Sequence, residues 1–201
     1  MVITMTALSQ LKRHLRPGQV YRRADLARWS NAVDRHVRQL VEADVLQKVA
    51  PGLYACPKKT SFGRVTPEDE KLVQAFLKSG DFLLFSPNAY NALGVGTTQL
   101  YNRQVVYNRK RHGQFTLGSR VYDFQIKPYF PKTVSEAFLL VDLVNNLERL
   151  AESEQEVLAR VKVLAARLDN ASLLRAANRY GGVRARKLFH ALTEHSLTDA
   201  A

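Results

Sequence analysis

Cysteine is almost absent from this chain. Cys56 stands alone among 201 residues, which excludes an internal disulfide and a cysteine zinc cluster and points to a reducing, cytoplasmic setting. Ten glycines and seven prolines are too few for a linker-rich or disordered protein. Long apolar runs are missing too. The run Phe138-Leu-Leu-Val141 stops at Asp142, far short of a bilayer span, so no membrane partner is expected. The opening Met1–Thr6 meets Lys12 and Arg13 after too short an apolar stretch for a secretory signal. Acidic side chains are scarce as well, 18 against 30 lysines and arginines, for a net charge of +12.

Metal-binding and phosphate-loop signatures are also missing. The five histidines, His14, His36, His112, His190 and His195, show no ligand spacing, and the last two are five apart on a predicted helix rather than four. Leu93-Gly-Val-Gly96 lacks the lysine of a phosphate-binding loop. Neither a cofactor nor a metal is therefore expected. What is present is ordinary globular composition, 46% hydrophobic and 24% charged, enough for one sizeable core or two small ones.

The excess charge is unevenly placed. Residues 1–57 carry nine basic and four acidic side chains, residues 58–132 twelve and five, and residues 133–201 nine of each. A basic front and a neutral tail suggest a polyanion met by one end of the molecule; charge kept for solubility alone would not need that bias.

Hydrophobic spacing predicts an α+β fold. Thr4 or Thr6 caps a helix through Leu15, with Leu8, Leu11 and Leu15 on one face, and Arg16-Pro17-Gly18 ends it. Val20-Tyr21 is extended, Ala24–Trp29 a short helix, and Ser30-Asn31 caps a third helix over Asn31–Ala43. Two extended runs, Val45–Ala50 and Leu53–Cys56, flank the turn signal Pro51-Gly52. That order is the order of a winged helix-turn-helix.

The third helix carries Val33, Val37, Leu40 and Val41 on one face and Asn31, Asp34, Arg35, Arg38 and Glu42 on the other. A recognition helix needs such a division, one face docking on its own domain and the other lying in the major groove. There Arg can bridge guanine O6 and N7, and Asn adenine N6 and N7. Ser30, Asn31, Asp34, Arg35 and Arg38 are the expected base-reading set. Arg22 and Arg23, opening the second helix, and Lys48 and Tyr54, in the wing, are expected at the DNA backbone. Tyr54 suits the domain core equally well.

These residues carry a family resemblance. Pro17-Gly-Gln-Val-Tyr21, Asp25-Leu-Ala27, Val33 with Val37-Arg-Gln-Leu40-Val41-Glu42, Val45-Leu46 and Pro51-Gly-Leu-Tyr54 together resemble the N-terminal domain of AbiEi-like antitoxins. Ser86-Pro-Asn-Ala-Tyr-Asn-Ala-Leu-Gly94, followed by a basic β-meander, is similar to that family's second domain. The resemblance implies operator binding, with autoregulation of the operon and neutralisation of a toxin related to nucleotidyltransferases. The expected partners are thus operator DNA, as an inverted repeat, and that toxin. A stand-alone regulator that senses a ligand or partner through its second domain is the alternative.

Beyond the winged helix of residues 1–57, residues 58–66 read as a connector. Residues 67–132 read as an α+β module: a helix from Pro67 to Lys78, a strand at Phe82–Phe85, a helix to Leu93-Gly94, then strands at Gln104–Asn108, Gln114–Leu117 and Arg120–Lys127. Residues 133–201 read as four helices forming one domain with that module. Asn108-Arg-Lys-Arg-His112 is the densest basic cluster. Its Arg109, Lys110 and Arg111, with Arg184, Arg186 and Lys187 near the C-terminus, are expected contacts for nucleic acid or the toxin, with solvated or internally paired charge as the plainer account. Asp123-Phe-Gln125-Ile-Lys127 faintly resembles the carboxylate-x-lysine strand of restriction-type nucleases. That chemistry needs two carboxylates converging on a divalent cation. Gln125 would occupy one ligand position and Asp81 lacks the surrounding motif, so a solvated strand face is expected. A metal-dependent DNA-processing enzyme is the remote alternative, and no catalytic residue is assigned.

Overall fold

The computed structural model describes residues 6–61, 63–94, 100–150 and 153–198, with side chains described through Glu194. Thr4, Val95, Gly96 and the His195 side chain lie outside the described residues. The chain divides into two compact units, one of Met1–Asp81 with Gly113–Tyr122, the other of Phe82–His112 with Asp123–Ala201. The fold is α+β.

In the first unit Thr6 caps α1 (Ala7–His14), its hydroxyl accepting the Ser9 N–H at 3.3 Å. The Pro17-Gly18 turn follows, with Gly18 at φ +77°, and leads into β1 (Gln19–Arg22). The next helix is split: α2 covers Arg23–Leu26, and a 3-10 turn covers Ala27–Trp29. Then come α3 (Val33–Glu42), β2 (Gln47–Ala50) and β3 (Leu53–Cys56). The strands form an antiparallel sheet in the order β1-β3-β2, and Gly52 takes φ +68° in the wing turn. This is a winged helix-turn-helix. Its core is Leu11, Leu15, Tyr21, Leu26, Val33, Val37, Leu40, Leu46 and Cys56.

The segment expected as a connector is itself paired. β4 (Lys58–Thr60) and β5 (Gly63–Val65) form a two-stranded hairpin. α4 (Asp69–Leu77) follows and packs on β1 and β3, burying Leu72, Val73 and Leu77. Residues 67–81 therefore belong with the winged helix, not with the later sheet, because the apolar side of α4 covers the strands that follow α1 and the wing.

The chain then enters the second unit with β6 (Phe82–Phe85), the short α5 (Ala89–Ala92) and β7 (Arg103–Asn108). It returns to the first unit with β8 (Gly113–Leu117) and turns at Gly118, whose N–H donates to the Val49 carbonyl at 2.8 Å. Finally β9 (Arg120–Ile126) begins in the first unit and ends in the second.

In the second unit β6 and β7 run antiparallel, pairing Phe82 with Asn108 and Phe85 with Val105. Its centre is α6 (Glu136–Asn145), in which every residue from Phe138 to Val144 is buried. A 3-10 turn at Leu147–Arg149 leads to α7 (Glu154–Ala165), α8 (Asn170–Tyr180) and α9 (Val183–Thr198). All three pack on α6. Asn145 fastens that arrangement: its side chain donates to the Tyr180 carbonyl at 3.0 Å and accepts the Gly182 N–H at 2.8 Å.

Candidate nucleic-acid interface

In the first unit α3 divides as its spacing predicts. Val33, Val37 and Leu40 are buried, while Asp34, Arg35, Arg38 and Glu42 are exposed. Val41 is only half-buried. The helix starts two residues later than expected, at Val33, and the cause is Ser30. That side chain turns inward instead of outward, hydrogen-bonding the buried His36 at Nδ1 (2.7 Å) and accepting the Ala32 N–H at 3.2 Å. Ser30 is 7% exposed, so it shapes the turn and cannot read a base. Asn31 remains exposed just ahead of the helix.

Asp34 has a partner on the surface. The Arg23 guanidinium grips it with two bonds, at 2.7 and 2.6 Å, and this holds the carboxyl below its usual range and the guanidinium above its own. The pair links the start of α2 to the start of α3. It also neutralises a cation expected at phosphate.

Arg22 is committed to α4. Its Nε donates to the Ala75 carbonyl at 2.6 Å and its Nη2 to the Phe76 carbonyl at 2.7 Å. These lie in the last turn of α4, where carbonyls lack helical partners and a cation is favoured. The expected DNA-backbone role for Arg22 therefore gives way to a structural one. Lys48, on β2, is exposed. Tyr54 is half-buried against the core of the winged helix and pairs across the sheet with Tyr21, so its ring is committed to packing. The exposed set on this unit is thus Asn31, Arg35, Arg38 and Lys48, with Arg23 paired.

In the second unit the basic turn at Arg109–Arg111 is held rigidly. The Asn108 side chain, fully buried, accepts the N–H groups of Lys110 (2.8 Å) and Arg111 (2.7 Å) and donates to the Arg111 carbonyl at 3.0 Å. Arg109 lies 5.5 Å over the Phe130 ring. All three basic side chains are exposed. The C-terminal cations fare differently. Arg184 pairs with Glu154 at 2.7 Å and Arg186 donates to the Gly181 carbonyl at 2.8 Å, while Lys187 is exposed. For Arg184 and Arg186, internal pairing is the observed state.

The strand face at Asp123, Gln125 and Lys127 is not solvated as expected. Gln125 is 5% exposed and donates to Asp123 at 2.7 Å, Arg149 sits 3.9 Å from the same carboxylate, and Lys127 lies 5.1 Å over the Tyr107 ring. This face packs onto the polar centre of the unit. There Asp142, at 2% exposure, accepts hydroxyls from Tyr90 (2.5 Å) and Tyr107 (2.8 Å), and Asn146 donates to the Tyr107 oxygen at 3.3 Å. Burial pushes the Asp142 carboxyl up despite these donors, and burial beside Asp142 raises both tyrosines. The interruption of the apolar run at Asp142 is the sequence signal for this network. A cavity of about 30 Å³ beside it, walled by Arg103, Asp123, Gln125 and Arg149, is the size of one water. Among the described residues no cluster of three His, Cys, Asp or Glu could hold a metal, and no helix is long and apolar enough to cross a membrane.

No family model matches the chain, and no curated protein matches it. Among solved structures, the crystal structure of the RV2827C protein from Mycobacterium tuberculosis shares the fold at a TM-score of 0.57. The match covers 93% of this chain and 74% of that one, at 18% sequence identity. At that identity the likeness concerns the fold alone.

Proposed function

We propose that the protein is a sequence-specific, duplex-DNA-binding regulator of AbiEi antitoxin type. Its winged helix reads an operator built as an inverted repeat, and its second unit counteracts a nucleotidyltransferase-like toxin. The observation that carries the DNA reading is the exposed polar face of α3. Arg35 and Arg38 stand free of the core there, with Asn31 ahead of them and Lys48 on the neighbouring wing. Arg side chains one helical turn apart on an otherwise docked helix suit bidentate contacts to guanine. The toxin half rests on the family resemblance.

Binding to duplexes taken from the region upstream of the protein's own gene, against random duplexes of equal length, tests the DNA reading. Arg35→Ala should weaken operator binding by ~1–3 kcal/mol and random binding much less. Equal losses on both duplexes would place Arg35 at phosphate and remove α3 as the reading element.

A further inference from the structure

We infer that the second unit holds a phosphate site: the small polar cavity beside Asp142 receives one protonated oxygen of a phosphate group, supplied as inorganic phosphate or as a phosphate monoester. The site lies wholly in the second unit and is independent of the DNA reading.

Arg103, on β7, is the starting observation. Its Nε is shut off from solvent and has no hydrogen-bond acceptor among the described residues. The guanidinium lies 5.6 Å over the Tyr101 ring, a contact that leaves the Nε–H bond unmade. A buried donor without an acceptor is costly, and more so on a cation. Arg103 lines the cavity of about 30 Å³ with Arg149, Asp123 and Gln125. Gln125 donates to Asp123 Oδ2 at 2.7 Å, and Arg149 stays 3.9 Å from the same oxygen, beyond hydrogen-bond length. The wall therefore sets two guanidinium groups against one carboxylate, whose Oδ1 neither contact uses. Burial inclines the neighbouring Asp142 to keep its proton, so it opposes an anion less than an exposed carboxylate would.

The cavity is held in shape. The Asn88 side chain fixes the approach to β7, donating to the Tyr101 carbonyl at 3.1 Å and accepting its N–H at 2.8 Å. Asn146, also in the wall, is tied to the Tyr107 hydroxyl and to the Asp142 carbonyl.

A net positive wall selects an anion, and the carboxylate in it selects among anions. An ionised carboxylate can only accept hydrogen bonds. It repels sulfate and chloride, which carry no proton at neutral pH. Hydrogen phosphate keeps a P–OH there. That one oxygen can donate to Asp123 and accept from Arg103 Nε, and one oxygen is what the cavity admits. The ionised oxygens remain for Arg149, whose exposed side chain borders the cavity. A site built around a hydroxyl rejects the analogue lacking it more strongly than size alone would.

The test follows the Arg103 Nε–H signal in proton–nitrogen spectra of the full-length protein, assigned through the bonds of its own side chain. Inorganic phosphate, a nucleoside 5′-monophosphate, sulfate and chloride are added separately at equal ionic strength. Phosphate, the monophosphate or both should move the signal saturably, at least about tenfold more tightly than sulfate or chloride. The tighter of the two identifies the free ion or the ester. Asp123→Asn, whose amide can donate to a sulfate oxygen, should bring phosphate and sulfate to within about twofold of each other. If no anion moves the signal, the cavity takes water and the phosphate site falls. Equal response to phosphate and sulfate would mean an adventitious ion only, and the site falls again. Full retention of the phosphate preference in folded Asp123→Asn also overturns it. Should that variant not fold, the parent's phosphate-to-sulfate ratio decides alone.

Discussion

Asp142 shows how much one side chain can couple to its surroundings. It sits in α6 between fully buried leucines and valines, with two tyrosine hydroxyls as its donors. Burial wins over those hydrogen bonds, so the native carboxyl holds its proton more tightly than the unfolded chain does. The stability this contributes is full below the ordinary carboxylate range, about pH 4, and is lost as pH rises through the raised native value. Asp142→Asn should flatten that loss. Denaturant midpoints measured from acid to neutral pH will show a shallower decline for the variant; parallel curves would mean that the carboxylate is ionised in the native state across the series. A carboxylate in an apolar run is visible in the sequence, but its two tyrosine partners lie 35 and 52 residues upstream. Spacing along one helix has no means of naming them.

Elements were legible where a period could be counted. The Leu8-Leu11-Leu15 step gives α1, the Val33-Val37-Leu40 step gives α3 with its start two residues late, and Pro51-Gly52 gives the wing turn. The β4–β5 hairpin was illegible because all six of its residues are exposed, so there is no alternation to read. Arg22 was misplaced for a related reason. Its position at the opening of α2 suggests phosphate, yet its acceptors are carbonyls 53 and 54 residues away. Arg22→Ala should therefore act on stability. Loss of two charge-assisted bonds at the end of α4 should cost about 1.5–3 kcal/mol in urea unfolding, with DNA affinity changed little. A variant with parental stability and weakened DNA binding would return Arg22 to the interface.

For the molecule as a whole, the charge bias of the sequence has a structural counterpart in exposed basic side chains on each unit. The winged helix offers Arg35, Arg38 and Lys48; the second unit offers the turn that Asn108 holds closed. Reversing Arg109, Lys110 and Arg111 to Glu together should weaken rescue of toxin-expressing cells and leave operator binding near the parental value. Single exposed charges contribute little, so the triple change is the fair comparison. Full rescue with lost operator affinity would assign the turn to DNA and dissolve this division of labour.

The path of the chain carries a consequence for how such a protein can be inherited. The polypeptide passes between the two units after Asp81, after His112 and again within β9 after Tyr122. A recombination event that joins one reading frame to another makes a single junction, and no single junction here yields either unit entire. A winged helix cut out at its wing would leave behind α4, which packs on its sheet, and the β8 turn that bonds Val49. The winged-helix unit of this molecule cannot be exchanged like a cassette; under the proposed function, variation in the sequence it reads would have to arise residue by residue, on the exposed face of α3.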